Sequence, residues 1–368
     1  MSRRRVLDGV LPGSGLFVAG ARARGTALVV FWLAFLAVAI GGRNRIAAVP
    51  ATGSWDDWVA LFTLAAGFVG AWLLGQREPP GQRSAQDGDS QWRIAMRSFT
   101  RNRLAVLGLG FVVILYAITL LAPFLAPYDP IATGDIVRTS HLPPSAIHWF
   151  GTDRLGRDVL SRAIYGARIS LSIGFIATAI SITVGTLLGA LAGYLGGRID
   201  AVIMRFTDVV LAFPRLILLI LVVALFQPSI AVIIVVLGLT QWPGTTRIVR
   251  GDVLSLRERE FVHAARALGF GRARIILRHV IPNVMAPIIV TATLGVGNTI
   301  VLEAGLSFLS LGPPPPTPTW GALVAAGKDT LLDAWWVATF PGLIIVTVVL
   351  AFNLVGDGLR DALDPRLR

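Results

Sequence analysis

The chain carries a single lysine, four histidines and no cysteine, and these scarcities decide most of the chemistry open to it. A nucleotide-binding P-loop needs GxxxxGK[ST], with the lysine on the phosphates and the hydroxyl on Mg²⁺. Lys328 follows Gly327, but Ala322 stands where the first glycine belongs and Asp329 replaces the Ser/Thr. The sequence therefore has no Walker motif, and any ATP hydrolysis that drives it belongs to another subunit. Without cysteine there is no disulfide framework, thiolate nucleophile or Cys-based zinc site. His263 and His279 lie 16 residues apart, and neither H-x₃-H nor H-E-x-x-H occurs, so a metal site is not expected. No Ser/His/Asp set or paired carboxylates suggest catalysis. The chain is read as a non-enzyme with no cofactor of its own.

The elements that position these side chains are membrane helices. Of 368 residues, 54% are hydrophobic and 15% charged, whereas ordinary soluble domains carry roughly 25% charged residues. A soluble enzyme is excluded, and the fold class is an all-α polytopic membrane protein. About 20 apolar residues at 1.5 Å each cross a hydrocarbon core of about 30 Å. That criterion gives eight spans, at 26–42, 58–75, 104–126, 170–193, 209–226, 229–244, 284–309 and 340–356, with the helix of the short 229–244 run expected to continue through Thr245 and Thr246 to about Val249. Gln227-Pro228-Ser229 makes a tight turn between the fifth and sixth. Residues 1–75 form an N-terminal extension with two spans, read as an integral anchor and not a cleaved signal peptide. Residues 76–103 hold a Pro/Gly/Ser-rich cytoplasmic linker and an amphipathic entry segment. Residues 104–368 form a six-span core with an outer loop 127–169, a loop 250–283 and a tail 357–368.

The formal charge of +12 is almost wholly arginine, and it lies between apolar segments. That placement suits anionic lipid headgroups and membrane orientation, with no nucleic acid expected. With the N-terminus inside, 24 Lys/Arg residues fall in inner segments and 8 in outer ones. Both termini are therefore expected in the cytoplasm. Arg215 lies inside a span near its inner end, from which it can snorkel.

The loop 250–283 reads GDVLSLREREFVHAARALGFGRARIILRHVIPN from Gly251 to Asn283. Ser255 and Glu258 make an S-x-x-E capping box, which predicts a helix from about Leu256. Gly269 is placed to end it in a left-handed cap. Phe261, Ala264, Ala265 and Leu268 share one face at i, i+3, i+4 and i+7. A second basic helix is expected over 271–280, ending at Pro282. Such a helix docks into a partner's groove or lies on lipid headgroups, and spacing alone does not choose.

The run His263-Ala264-Ala265-x₃-Gly269 followed by His279-x-Ile281-Pro282-Asn283 resembles the EAA loop of ABC import permeases. It departs from E-A-A-x₃-G-x₉-I-x-L-P at His263, His279 and Ile281. The wording AARALG…RIILRHVIPN is similar to the dipeptide/oligopeptide/nickel branch. So are Trp92–Leu107, the motif Gly151-Thr152-Asp153-x₂-Gly156-Arg157-Asp158, Glu303-Ala304-Gly305-Leu306-Ser307-Phe308-Leu309, Pro318-Thr319-Trp320-Gly321 and the tail from Asn353. The resemblance covers about 92–368 and implies a six-span ABC import permease core, here preceded by an extra two-span hairpin. It implies a coupling helix carrying Glu258, Phe261, His263, Ala264, Ala265, Leu268 and Gly269, with His279 and Pro282 behind it. It also implies a second homologous permease, two ATPase subunits that bind ATP and Mg, an external solute-binding protein, and the plasma (inner) membrane of a prokaryote. The rival expectations are an ion-gradient-driven secondary transporter and a membrane scaffold.

Other residues carry weaker expectations. Glu303 lies within a span, where ionisable groups are costly and point to function; it serves either an outer gate or substrate path, or a structural arginine or backbone partner. Asn298 and Thr299 line a translocation path or bond across packed helices. Gly185, Gly189 and Gly193 repeat at G-x-x-x-G spacing, which permits close helix contact. Asp153, Arg157 and Asp158 form either a small ion-paired fold in the outer loop or a contact for the binding protein.

Overall fold

Backbone groups in hydrocarbon must be satisfied within their own segment, so long runs of Leu, Val, Ile and Ala resolve as helices. The computed structural model describes residues 22–52, 55–76, 91–226 and 229–364. Among them, β structure is confined to one antiparallel bridge between Thr152 and Asp158. In chain order the first helices are α1 (Arg22–Gly41), α2 (Arg43–Thr52), α3 (Trp55–Gln76), α4 (Gln91–Arg101), α5 (Arg103–Leu120), α6 (Ala122–Leu125) and the short α7 (Ile136–Thr139). There follow α8 (Val159–Leu195), α9 (Gly197–Ala212), α10 (Arg215–Ala224), α11 (Ile230–Leu256), α12 (Glu260–Ala267) and α13 (Arg272–Ile275). The last are α14 (Met285–Phe308), α15 (Trp320–Gly327) and α16 (Trp336–Leu363).

The chain divides into two compact units. One joins the described residues up to 76 with Ile114–Asp129. Its core is Val49, Ala60, Leu64, Leu121 and Phe124. Arg45 closes it by donating from Nη1 to the carbonyls of Pro123 (2.6 Å) and Ala126 (2.7 Å), and from Nη2 to that of Pro127 (3.0 Å). The carbonyls at the end of α6 have no partner within the helix, so the guanidinium fills a vacancy that every helix end presents.

The second unit comprises Gln91–Val113 and the chain from Pro130 onward. The amphipathic α4 buries Ala95 and Phe99, with Phe99 packed beside Val355 and Ala362 of α16. The central seam is α8 against α11. A Cβ on Gly185 would stand 2.6 Å from Thr245 Cβ, one on Gly189 2.7 Å from the Thr246 carbonyl, and one on Gly193 2.9 Å from the Arg250 carbonyl. Only hydrogen at these three positions lets the two backbones meet. The G-x-x-x-G expectation is met residue by residue. Two arginines of α11 tie it to α9: Arg250 grips Asp200 with two bonds at 2.5 and 2.6 Å, and Arg247 reaches Asp208 at 2.6 Å.

Among the described residues five helical runs are long and apolar enough to cross a bilayer: α5, α8, α11, Arg272–Phe308 and α16. The pair α9 and α10 makes a sixth if counted together. The N-terminal helices α1 and α3, of 20 and 22 residues, overlap the segments 26–42 and 58–75 but are not among these runs. Four expectations need correction. The single span at 209–226 is broken, because α9 and α10 meet at 86°. Pro214 has no N–H and excludes helical geometry from the residue before it, and Phe213 is extended at φ −86°, ψ 132°. The span at 104–126 is interrupted at Leu121, between α5 and α6. The helix of the span at 229–244, expected to reach about Val249, runs on to Leu256, and the outer loop ends at Asp158, whose carboxylate caps α8. Most of the linker, the Gln227-Pro228 turn, the first 21 residues and the tail beyond Asp364 lie outside the described residues.

Candidate functional site

At one end of the second unit, α12 is short because its neighbours leave it only eight residues. The expected start at Leu256 is wrong: α11 is still helical there, so Ser255 lies in its last turn and donates to the Asp252 carbonyl at 2.8 Å. The capping box with Glu258 does not form. Glu258 instead pairs with Arg257 at 2.8 Å, and Arg259 opens α12 without a side-chain cap. The end of the helix is as expected. Gly269 has φ +77°, its N–H meets the Arg266 carbonyl, and the Phe270 N–H reaches back to Ala265. This double closure is a Schellman motif, which only glycine enters without strain.

The two faces of α12 differ. Val262 (0% exposed) and Ala265 (4%) sink into a cluster with Tyr194 of α8, Val249 and Val253 of α11, and Ile275, Ile276 and Val280. Arg266 fastens the same side, donating to the Tyr194 hydroxyl at 3.1 Å with its guanidinium over that ring. Phe261, Ala264 and Leu268 face outward, Leu268 being 72% exposed. The four-residue face read from the sequence is therefore split, since Ala265 belongs to the interior. His263 also faces outward, 3.8 Å from Glu258.

Behind α12 the chain does not stop at Pro282. It passes through α13, a π turn at Ile276–Val280 and a 3-10 turn at Ile281–Val284 straight into α14. Proline removes one helical N–H and crowds the preceding turn, which is accommodated by widening and then tightening the helix. His279 stacks on Phe270, whose other neighbour is the Arg274 guanidinium, 4.3 Å from the ring centre.

Deeper in the bundle lies a cavity of about 320 Å³. Thr178, Ser181, Arg215, Gln241, Thr291 and Asn298 are among its polar lining. Asn298 donates to Gln241 at 3.4 Å, and Gln241 donates to Thr299 at 3.1 Å. Thr299, fully buried, also meets Thr178 at 3.0 Å. Thr299 thus bonds across three helices, while Asn298 reaches the cavity. A second cavity of about 600 Å³ shares Ile248 and Thr291 with the first and opens among Asp252, Asn283 and Arg360. Gln241 and Arg215 were not singled out as path residues from the sequence. Their signal was a polar group within an apolar run.

Glu303 is fully buried and held by hydroxyls, accepting from Ser307 at 2.7 Å and Ser170 at 3.4 Å. The Ser170 oxygen in turn accepts the Trp320 N–H at 3.2 Å. The carboxyl joins α14, α8 and the start of α15, and its partners are hydroxyls, not an arginine. Asp153 and Asp158 are also internal. Asp153 binds Arg157 at 2.8 Å and the backbone N–H groups of Leu155 and Arg157; Asp158 takes Ser161 and His148. Asp153, Arg157 and Asp158 thus form a hydrogen-bonded, ion-paired set within the loop.

Comparison with known proteins follows this geometry closely. The family described as binding-protein-dependent transport system inner membrane component matches residues 185–368. The N-terminal TM domain of oligopeptide transport permease C matches residues 90–144. Over 279 residues the chain is 44% identical to the dipeptide transport system permease protein DppC of Alkalihalophilus pseudofirmus, covering 76% of this chain and 91% of that protein. It is 41% identical over 279 residues to the oligopeptide transport system permease protein OppC of Bacillus subtilis, with the same coverage. It is 43% identical over 277 residues to the glutathione transport system permease protein GsiD of Pectobacterium atrosepticum, covering 75% of this chain and 92% of that one.

Proposed function

Since the chain belongs to the family of binding-protein-dependent transport system inner membrane components, we propose that it is the permease subunit through which an ATP-driven importer passes dipeptides or oligopeptides. The relatives' names carry the substrate class. The subunit works beside a second, homologous permease, two ATPase subunits that hold ATP and Mg, and an external solute-binding protein. It sits in the inner membrane of a prokaryote with both termini in the cytoplasm, in keeping with the arginine distribution.

The observation that carries the mechanism is the two-sided α12. Its outer face presents Phe261, Ala264 and Leu268 to a groove on the ATPase, with Glu258 and His263 at the rim. Its inner face is locked by Val262, Ala265 and Arg266 to three helices of the bundle. Closure of the ATPase dimer on ATP displaces α12. Because the inner face is packed, the displacement moves α8, α11 and the Arg272–Phe308 run together. The cavities between those helices then change from inward-facing to outward-facing access, and hydrolysis resets them. Gly269 fixes the angle of the helix, and His279 and Pro282 brace the segment behind it. The outer loop built on Asp153, Arg157 and Asp158 gives the binding protein a rigid platform. An ion-gradient mechanism is not favoured, since Glu303, the acid within α14, is sealed among Ser170 and Ser307.

The test is substitution on the outer face. Leu268→Asp and Ala264→Arg should leave the two permeases co-purifying while the ATPase subunits are lost from the complex and uptake falls at least tenfold. Retention of the ATPases with uptake at the original rate would remove α12 from the mechanism.

A further inference from the structure

The cavity beside Asn298 contains one ionisable side chain, Arg215. Its position follows from the broken span. Pro214 ends the run from α9, the chain turns through 86°, and Arg215 is the first residue of α10. The side chain stands at a break in the bundle and not along a continuous helix wall. The acids nearest in sequence are already engaged: Asp208 with Arg247 and Asp200 with Arg250. Among the described residues no carboxylate lies within ion-pair distance of Arg215. The remaining polar lining is neutral, made of the Thr178, Ser181, Thr245 and Thr291 hydroxyls and the Gln241 and Asn298 amides.

Arg215 is exposed on the cavity wall, and an arginine that faces an open cavity within a membrane bundle marks an ion or substrate pathway. Arginine is also the side chain whose planar donor fork matches a carboxylate with two parallel bonds. The volume of about 320 Å³ falls at the small end of sites for small molecules, about 300–1,000 Å³. We infer that Arg215 receives the terminal carboxylate of the transported peptide, with the Gln241 and Asn298 amides meeting its peptide bond. This rests on the peptide-importer reading above. It assigns the cavity a ligand group: a free carboxylate on a short zwitterionic peptide. The shared lining at Ile248 and Thr291 then leads from this resting place to the larger cavity and its mouth near Arg360.

The test uses the full complex with its binding protein in proteoliposomes, and radiolabelled dialanine as the probe. Arg215→Gln should lower dialanine uptake at least tenfold and leave stimulation of the ATPase by the loaded binding protein within twofold. Arg215→Lys should restore a substantial part. A second measurement omits the binding protein: saturation-transfer NMR on the detergent-purified complex should detect dialanine, respond several-fold less to dialanine amide, and lose the dialanine signal in Arg215→Gln. Equal signals from dialanine and its amide, or Arg215→Gln importing at the original rate, overturn the inference and leave the importer reading standing. If the unsubstituted complex imports neither dialanine nor tetra-alanine while hydrolysing ATP in response to its binding protein, the peptide reading falls and the assignment of Arg215 falls with it.

Discussion

Single side chains in this protein do two kinds of work, and burial separates them. Glu303 is a fastener. Its oxygens accept from Ser307 and Ser170, so Glu303→Gln keeps an acceptor there, whereas Glu303→Leu leaves hydroxyls without partners. An unsatisfied buried polar group costs about 1–3 kcal/mol. Glu303→Leu should therefore lower the melting temperature of the purified complex well below that of Glu303→Gln; equal melting temperatures would deny the carboxyl its structural role. Gly269 sets an angle. With φ at +77°, Gly269→Ala should cost about 1–2 kcal/mol of local stability. The expected readout is a lower ratio of solute imported to ATP hydrolysed, with the complex still assembled. An unchanged ratio would mean that the left-handed end of α12 is not needed to aim it.

Among elements, the closest fit is the seam of α8 on α11. Gly189→Leu places a side chain where the Thr246 carbonyl and the Val249 Cβ already stand at 2.7 and 2.9 Å from a bare Cβ. Overpacking of this kind costs about 1–3 kcal/mol or more, so the variant should fail to accumulate in membranes, as an immunoblot would read. Normal accumulation would show that the seam can open. This seam was legible in the sequence, because G-x-x-x-G reports a backbone contact that needs no knowledge of the partner. The break at Pro214 was not, since a hydropathy window averages over Phe213 and Pro214 and sees only apolar residues. The capping box at Ser255 and Glu258 misled for a different reason. The same four residues cap a helix only if the previous one has already ended, and α11 had not. The faces of α12 were half legible: Val262 and Ala265 are as apolar as Phe261, Ala264 and Leu268. Which set turns inward was decided by Tyr194, far back in the chain, and by Val253 and Ile276 on the segments flanking α12.

For the whole molecule, the absence of cysteine makes orientation directly measurable. Val137, 94% exposed in the loop before α8, and Leu268 in the loop after α11 should lie on opposite sides of the membrane. A membrane-impermeant maleimide should label Val137→Cys on intact spheroplasts and Leu268→Cys only in inverted vesicles; labelling of both from one side would reverse the arginine argument. The N-terminal hairpin lies outside the two family matches, yet Arg45 holds three carbonyls of the segment after α5. A chain beginning at Gln91 should still import, with a lower melting temperature, and loss of import would give the hairpin a direct part in transport. The fusion of α8 with α11 has one last consequence. Two helices that share backbone contact tilt as one beam, and α8, with 37 residues, is about 55 Å long at 1.5 Å per residue. A rocking of about 5° at one tip sweeps the other through about 5 Å, on the order of one helical turn. If α8 pivots at one tip, a tilt too small to distort any side chain there becomes a displacement of about one helical turn at the other.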